Sequence, residues 1–134
     1  MKAVFCIKTL TGLRGGAENV FAQVAQHLYQ NGWDITLITF DSETGGSCYR
    51  LGEIRWIRLA IGDSQKPARF IDSLKRVLAL RREIDFIAPD VAIGFMHSMF
   101  IPLAFSLFGR GIPVVGSEHI VPAHYTSRKF EFYL

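Results

Sequence analysis

Between Ala17 and Leu28 the apolar residues Ala17, Val20, Phe21, Val24, Ala25 and Leu28 recur three and four positions apart, and a short β-rich run stands close on either side. That spacing predicts one amphipathic helix, with Gly32 as its stop. The flanking runs, Lys2 to Ile7 and Ile35 to Phe40, read as strands. A strand, a helix and a second strand joined this tightly form a right-handed crossover onto a parallel sheet, which excludes most all-helical and all-β solutions.

The alternation continues. Asp41 to Gly52 is polar and glycine-bearing, hence a loop, and Ile54 to Leu59, carrying Arg55 and Arg58, reads as an edge strand. A second helix is expected from about Ala68 to Ile84, with Phe70, Leu74, Val77 and Leu78 inward and its basic residues outward. After the break at Pro89 come a strand, Asp90 to Phe95, and an apolar helix, Met99 to Phe108, with Pro102 in its first turn and Gly109 and Gly111 closing it. A fifth strand, Ile112 to Gly116, follows. Five strands alternating with helices specify an α/β fold: a Rossmann-like, three-layer, doubly wound parallel sheet that binds ligands beyond the carboxyl ends of its strands. The 134 residues fit one domain, and 49% apolar against 20% charged residues suits a sheet buried on both faces. Thr126 to Leu134 reads as a helix cut off partway, leaving Phe130, Phe132, Tyr133 and Leu134 without a partner to pack on.

Formal net charge is +3, with one denser basic stretch from Lys66 to Arg82 that includes Arg69, Lys75, Arg76 and Arg81. Such a stretch is either a solvated helix face or a surface attracted to anionic lipid headgroups; no nucleic-acid partner is expected. Cys6, in an apolar run, and Cys48, in a polar loop, read as free thiols of a reducing compartment. The opening apolar run stops at Lys8, too short for a leader core or a membrane span, so a cytoplasmic location is expected.

Three stretches fall where this architecture places ligands. The first is Thr9-Leu10-Thr11-Gly12-Leu13-Arg14-Gly15-Gly16-Ala17-Glu18, a glycine loop opening into the first helix. Its helix N-terminus offers free backbone donors to an anion, typically a phosphate, which Gly15 and Gly16 would let approach. The alternative is a tight turn that needs only glycine's dihedral freedom. The loop matches neither the dinucleotide fingerprint nor a P-loop. The second and third are Gly94-Phe95-Met96-His97-Ser98 and Gly116-Ser117-Glu118-His119. Either histidine serves as a hydrogen-bonded structural group or as a catalytic one, and Glu118 as a site carboxylate or as a cap for a neighbour. A serine hydrolase is excluded for want of a nucleophile elbow, and zinc because His97, Glu118, His119 and His124 lack a ligand spacing.

Taken in order, Gly12-Leu13-Arg14-Gly15-Gly16-Ala17-Glu18 with its helix and Gly32, then Pro89-Asp90-Val91 through His97, then Pro113-Val114-Val115-Gly116-Ser117-Glu118-His119 resemble the N-terminal domain of GT-B glycosyltransferases of family 4. The resemblance covers nearly the whole chain. It implies that residues 1–134 form the acceptor-binding half of a two-domain enzyme, with the C-terminal nucleotide-sugar domain absent. It carries donor-diphosphate contact onto Gly15 and Gly16 and a catalytic position near the transferred sugar onto His119, leaving Arg14, His97, Ser98 and Glu118 as acceptor-side candidates. It implies retention of anomeric configuration and neither metal nor other cofactor. The expected partners are a nucleotide-diphosphate sugar, a saccharide or lipid-linked acceptor of cell-surface glycan synthesis, and the anionic inner face of a membrane.

Two further readings remain at this level. The chain is a non-catalytic acceptor-binding subunit pairing with a separate donor-binding protein, or a stand-alone α/β ligand-binding domain of another kind.

Overall fold

Alternation along the first strand builds a three-layer fold. In the computed structural model, which describes residues 1–12, 15–47, 49–63 and 69–119, strand β1 spans Lys2–Cys6 and is buried almost throughout. Ala3, Phe5 and Ile7 join one apolar cluster with Phe21, Ala22 and Ala25. Val4 and Cys6 point the other way, into a second cluster with Leu80, Ile84, Met99 and Leu103. A strand buried on both faces reads as a continuous apolar run, which is how β1 reads. Arg14, Cys48, Lys66, His124 and the expected helix from Thr126 to Leu134 lie outside the described residues.

Helix α1, Gly16–Gln30, covers the first face. It ends where Gly32 takes φ +89°, with the Gly32 and Trp33 N–H groups bonded back to the last turn, so the expected glycine stop is met. Its buried arc is Ala17, Phe21, Ala22 and Ala25; Val20 and Val24, expected inward, stand at the margin, more than a third exposed. Strands β2, Asp34–Thr39, and β3, Arg55–Arg58, follow, with β3 at the sheet edge as its arginines suggested.

Helix α2 spans Phe70–Ile87 and corrects the predicted orientation. Its buried residues are Arg76, Leu80, Ile84 and Ile87, whereas Phe70, Leu74 and Leu78 are exposed by 85%, 54% and 58%. The apolar stripe faces outward because the inward arc begins with an arginine that satisfies itself internally. Arg76 donates through Nε and Nη2 to the Ile61 carbonyl at 3.1 and 3.0 Å, and its guanidinium lies 4.4 Å from the Phe40 ring centroid. The helix stops at left-handed Ala88, directly before Pro89.

Strand β4, Val91–Phe95, helix α3, His97–Ser106, and strand β5, Val114–Ser117, complete the order. Helix α3 starts two residues earlier than expected, so Pro102 lies inside it rather than in its first turn. The missing Pro102 N–H leaves the Ser98 carbonyl without its usual helical donor. All pairings are parallel and the strand order is β3-β2-β1-β4-β5. The order reverses between β1 and β4, so the loops leaving these two strands flank the crevice where such sheets bind ligands.

Close contact between β4 and α3 depends on Gly94. A Cβ there would lie 3.0 Å from the Phe100 Cα and 3.3 Å from the Phe100 nitrogen, backbone that cannot turn aside. Gly94→Ala is therefore expected to destabilise the fold by about 2–3 kcal/mol through displacement of α3. A urea midpoint equal to wild type would show that the helix yields freely.

Candidate functional site

Loops from β1, β4 and β5 meet at the carboxyl edge of the sheet. After β1, Thr9 to Thr11 wrap around one buried carboxylate, Asp41, which lies just past β2. Asp41 accepts from the Thr9 hydroxyl at 2.5 Å, the Leu10 N–H at 2.7 Å and the Thr11 hydroxyl at 2.7 Å. Burial raises its pKa, but the Leu10, Thr9, Thr11 and Thr39 hydrogen bonds outweigh burial and hold the carboxyl below its ordinary value. Sequence reading passed over Asp41 as the first residue of a loop. The available signal was two threonines after one strand and an acid after the neighbouring parallel strand.

The glycine loop then leads into α1, with Gly15 as N-cap. The tight-turn reading falls to Gly12, which takes φ +111°, whereas Gly15 sits at φ −112° in ordinary extended backbone. A Cβ on Gly15 would collide with the Glu18 carboxylate, a flexible group, and one on Gly16 would meet nothing within 4 Å. Among the described residues nothing in the packing demands either glycine, and Gly16 is exposed in the first turn of α1 beside the crevice.

Across the crevice, β4 ends at Phe95 and the chain turns sharply through Met96 into α3. Met96 holds φ 67° and ψ 149°, a conformation costing a non-glycine residue about 1–3 kcal/mol. Its N–H donates to the Ser117 carbonyl at 2.8 Å, fastening the turn to the end of β5. The Glu118 carboxylate adds a second tie. One oxygen accepts the His97 backbone N–H at 3.2 Å and lies 3.5 Å from His97 Nδ1; the other accepts the His119 N–H at 3.0 Å. A carboxylate at the N-terminus of α3 is also favoured by the helix dipole.

His119 is held on three sides. Its ring stacks on Phe95 with centroids 5.4 Å apart and planes within 3°, and Nε2 lies 2.8 Å from the Ser117 hydroxyl. Phe95 in turn meets Phe21 of α1 edge-on at 5.0 Å, so His119 is set on the α1 side of the sheet, as Gly15 and Gly16 are. With the serine donating, Nε2 accepts and Nδ1–H remains the ring's donor; the other tautomer reverses these roles.

His97 and Ser98 belong to the opposite side, where they line a groove of about 660 Å³ between α2 and α3 with Lys8 and Arg76. Burial holds the Lys8 ammonium below its ordinary pKa; the Arg76 charge adds to this and Asp63 opposes it. Sequence reading missed Lys8 and Arg76 as site-lining groups, the first because it ends an apolar run and the second because it sits among exposed basic residues. The anticipated positions thus divide: His119 with Gly15 and Gly16, His97 and Ser98 with the groove, and Glu118 between them. Arg14 lies outside the described residues.

Among the described residues no group of three or more His, Cys, Asp or Glu side chains converges as a metal site would, and no helix is long and apolar enough to cross a membrane.

A search of curated protein sequences returns no match. Among solved structures the fold is similar to MurG of Acinetobacter baumannii, at TM-score 0.62 and 21% identity over 88% of this chain and 35% of that one. It is also similar to the apo form of the lipopolysaccharide outer core galactosyltransferase WaaB, at 0.69 and 16% over 92% and 35%. A third neighbour is the UDP-GlcNAc 2-epimerase of Methanocaldococcus jannaschii, at 0.63 and 13% over 98% and 35%. The chain spans about a third of the length of each. These likenesses show the fold, that of the N-terminal Rossmann-like domain of a GT-B enzyme. The sequence profile of Glycosyltransferase Family 4 matches residues 14–134, the greater part of the chain. This protein therefore belongs to glycosyltransferase family 4.

Proposed function

We propose that the chain forms the acceptor-side half of a transferase that moves a sugar from a nucleotide-diphosphate donor to a saccharide or lipid-linked acceptor, with retention of configuration. The observation that carries this reading is the fixed placement of His119. It stands at the carboxyl end of β5, clamped by Phe95, Ser117 and Glu118, on the side where α1 begins with exposed Gly16 and with the Glu18 carboxylate against Gly15. A donor lying in the crevice brings its diphosphate to Gly15 and Gly16, where the α1 dipole offsets the charge that develops on the leaving group. His119 then meets the transferred sugar as a positioned hydrogen-bonding group. The acceptor enters past His97 and Ser98.

On this reading a second domain or chain supplies the nucleotide pocket, no metal takes part, and the chain alone turns over no donor. Peripheral contact with the inner face of a membrane is supported by α2, whose exposed Phe70, Ile71, Leu74 and Leu78 lie among Arg69, Lys75 and Arg82. Acceptors of cell-surface glycan synthesis suit that location.

Two measurements test the reading. Nucleotide diphosphate release from a panel of UDP- and GDP-sugars is expected only when the donor-binding half is present; release from none of them would sink it. Gly16→Ala is expected to leave the melting temperature unchanged or slightly raised, because the added methyl meets open space on a helix, while KM for the donor rises. An unchanged donor KM would remove Gly16 from the diphosphate site.

A further inference from the structure

Helix α1 starts at a residue that has no side chain to cap it. The N-cap is Gly15, whose carbonyl accepts the Asn19 N–H at 3.1 Å and the Tyr49 hydroxyl at 3.4 Å. Glu18, the acid of the first turn, reaches back toward that N-cap. A Cβ placed on Gly15 would overlap Glu18 Oε2 and lie 3.0 Å from its Cδ, so the carboxylate fills space that a side chain at position 15 would take. A negative charge there is favoured by the positive end of the helix dipole. Gly16 differs: it is exposed, and a Cβ on it would meet nothing within 4 Å. An anion approaching the first turn over Gly16 therefore meets an anion that the chain itself has placed beside Gly15.

We propose that the Glu18 carboxylate is an internal stand-in for the donor's diphosphate. It holds the N-terminus of α1 while the crevice is empty, swings aside as the donor binds, and by returning helps to expel the nucleotide diphosphate left after transfer. The proposal rests on the placement of the diphosphate at Gly15 and Gly16 argued above; the position of Glu18 does not. Two anions at one helix end repel each other and compete for the same backbone donors. Displacement needs no movement of the helix, because only the far end of a flexible side chain lies against Gly15. The competition weakens the hold on donor and product alike, and a weaker hold on the product speeds a step that commonly limits turnover.

Two measurements test it, the first on placement alone. In a double-mutant cycle read by urea midpoints, Gly15→Ala is expected to lower the midpoint less in a Glu18→Ala background than in the wild type, since the added methyl then displaces nothing. Additive shifts overturn the proposal. The second is calorimetric titration with inorganic pyrophosphate of the enzyme assembled with its donor-binding half. Glu18→Gln, with unaltered circular dichroism, is expected to bind pyrophosphate about tenfold more tightly than the wild type, with a lower donor KM and stronger inhibition by the nucleotide diphosphate. Unchanged affinity, or no pyrophosphate binding by either protein, overturns the proposal. So does weaker binding, which would make Glu18 a contact that holds the donor. Tighter pyrophosphate binding in an assembly that releases no nucleotide diphosphate from any UDP- or GDP-sugar keeps the role of Glu18 and removes the transferase reading. Release with an indifferent Glu18→Gln does the reverse.

Discussion

On the proposed reading, His119→Ala in an enzyme assembled with its donor-binding half is expected to lower turnover by about a hundredfold or more, the scale of losing one preorganised group at a reacting centre. The same change is expected to leave the fold intact, because His119 is exposed and lies two residues past Ser117, the last residue of β5. The buried ring beneath it, Phe95, keeps its contacts with Phe5 and Phe21. Steady-state kinetics with unaltered circular dichroism is the check, and near-normal turnover would return His119 to a purely structural role. Ser117→Ala gives a smaller loss of the same kind, since it frees Nε2 while the Phe95 stack still sets the ring plane.

The second large effect falls on stability. Asp41→Ala strips the acceptor from one buried N–H and two threonine hydroxyls and is expected to cost about 3–4 kcal/mol, a large share of a small domain's total. Its pH dependence has a definite sign. The native carboxyl is held below its ordinary value of 3.8, so the unfolded chain binds the proton more readily. The stabilisation is fully present above that ordinary value and is lost as pH falls below it, through the lower native pKa. Urea midpoints followed from pH 7 to pH 3 should therefore drop below about pH 4 in the wild type and fall less steeply in Asp41→Asn. Parallel curves would show that other carboxylates govern the acid limb.

Much of the architecture was legible because the unit β1-α1-β2 is written in two clean periods, three-four on the helix and near-continuous apolar residues on the strands. Glycine marked the end of α1 for a steric reason that the +89° φ of Gly32 bears out. Legibility failed on α2. Pattern reading assigns the core face to the arc richest in large apolar residues, and here that arc, Phe70, Leu74 and Leu78, lies outside. Periodicity has no symbol for a buried arginine whose hydrogen bonds go to a backbone carbonyl fifteen positions away in sequence. The candidate site divides in the same way. Its locations were readable from strand ends, but the sorting of His119 to the α1 side and His97 to the groove depended on one stacking contact and one cavity. Asp41 stayed hidden because its partners lie some thirty residues away and meet it only once β1 and β2 are paired.

The Glu118 carboxylate receives the backbone N–H of both His97 and His119, and the Met96 turn is pinned to Ser117 beside it. Mechanically, the two loop ends form one bracket rather than two independent arms. Any ligand that orders one of them has already spent the entropy of ordering the other. On the proposed reading, synergy between donor and acceptor needs no large movement of the sheet, and a substitution at Glu118 would loosen both loop ends together.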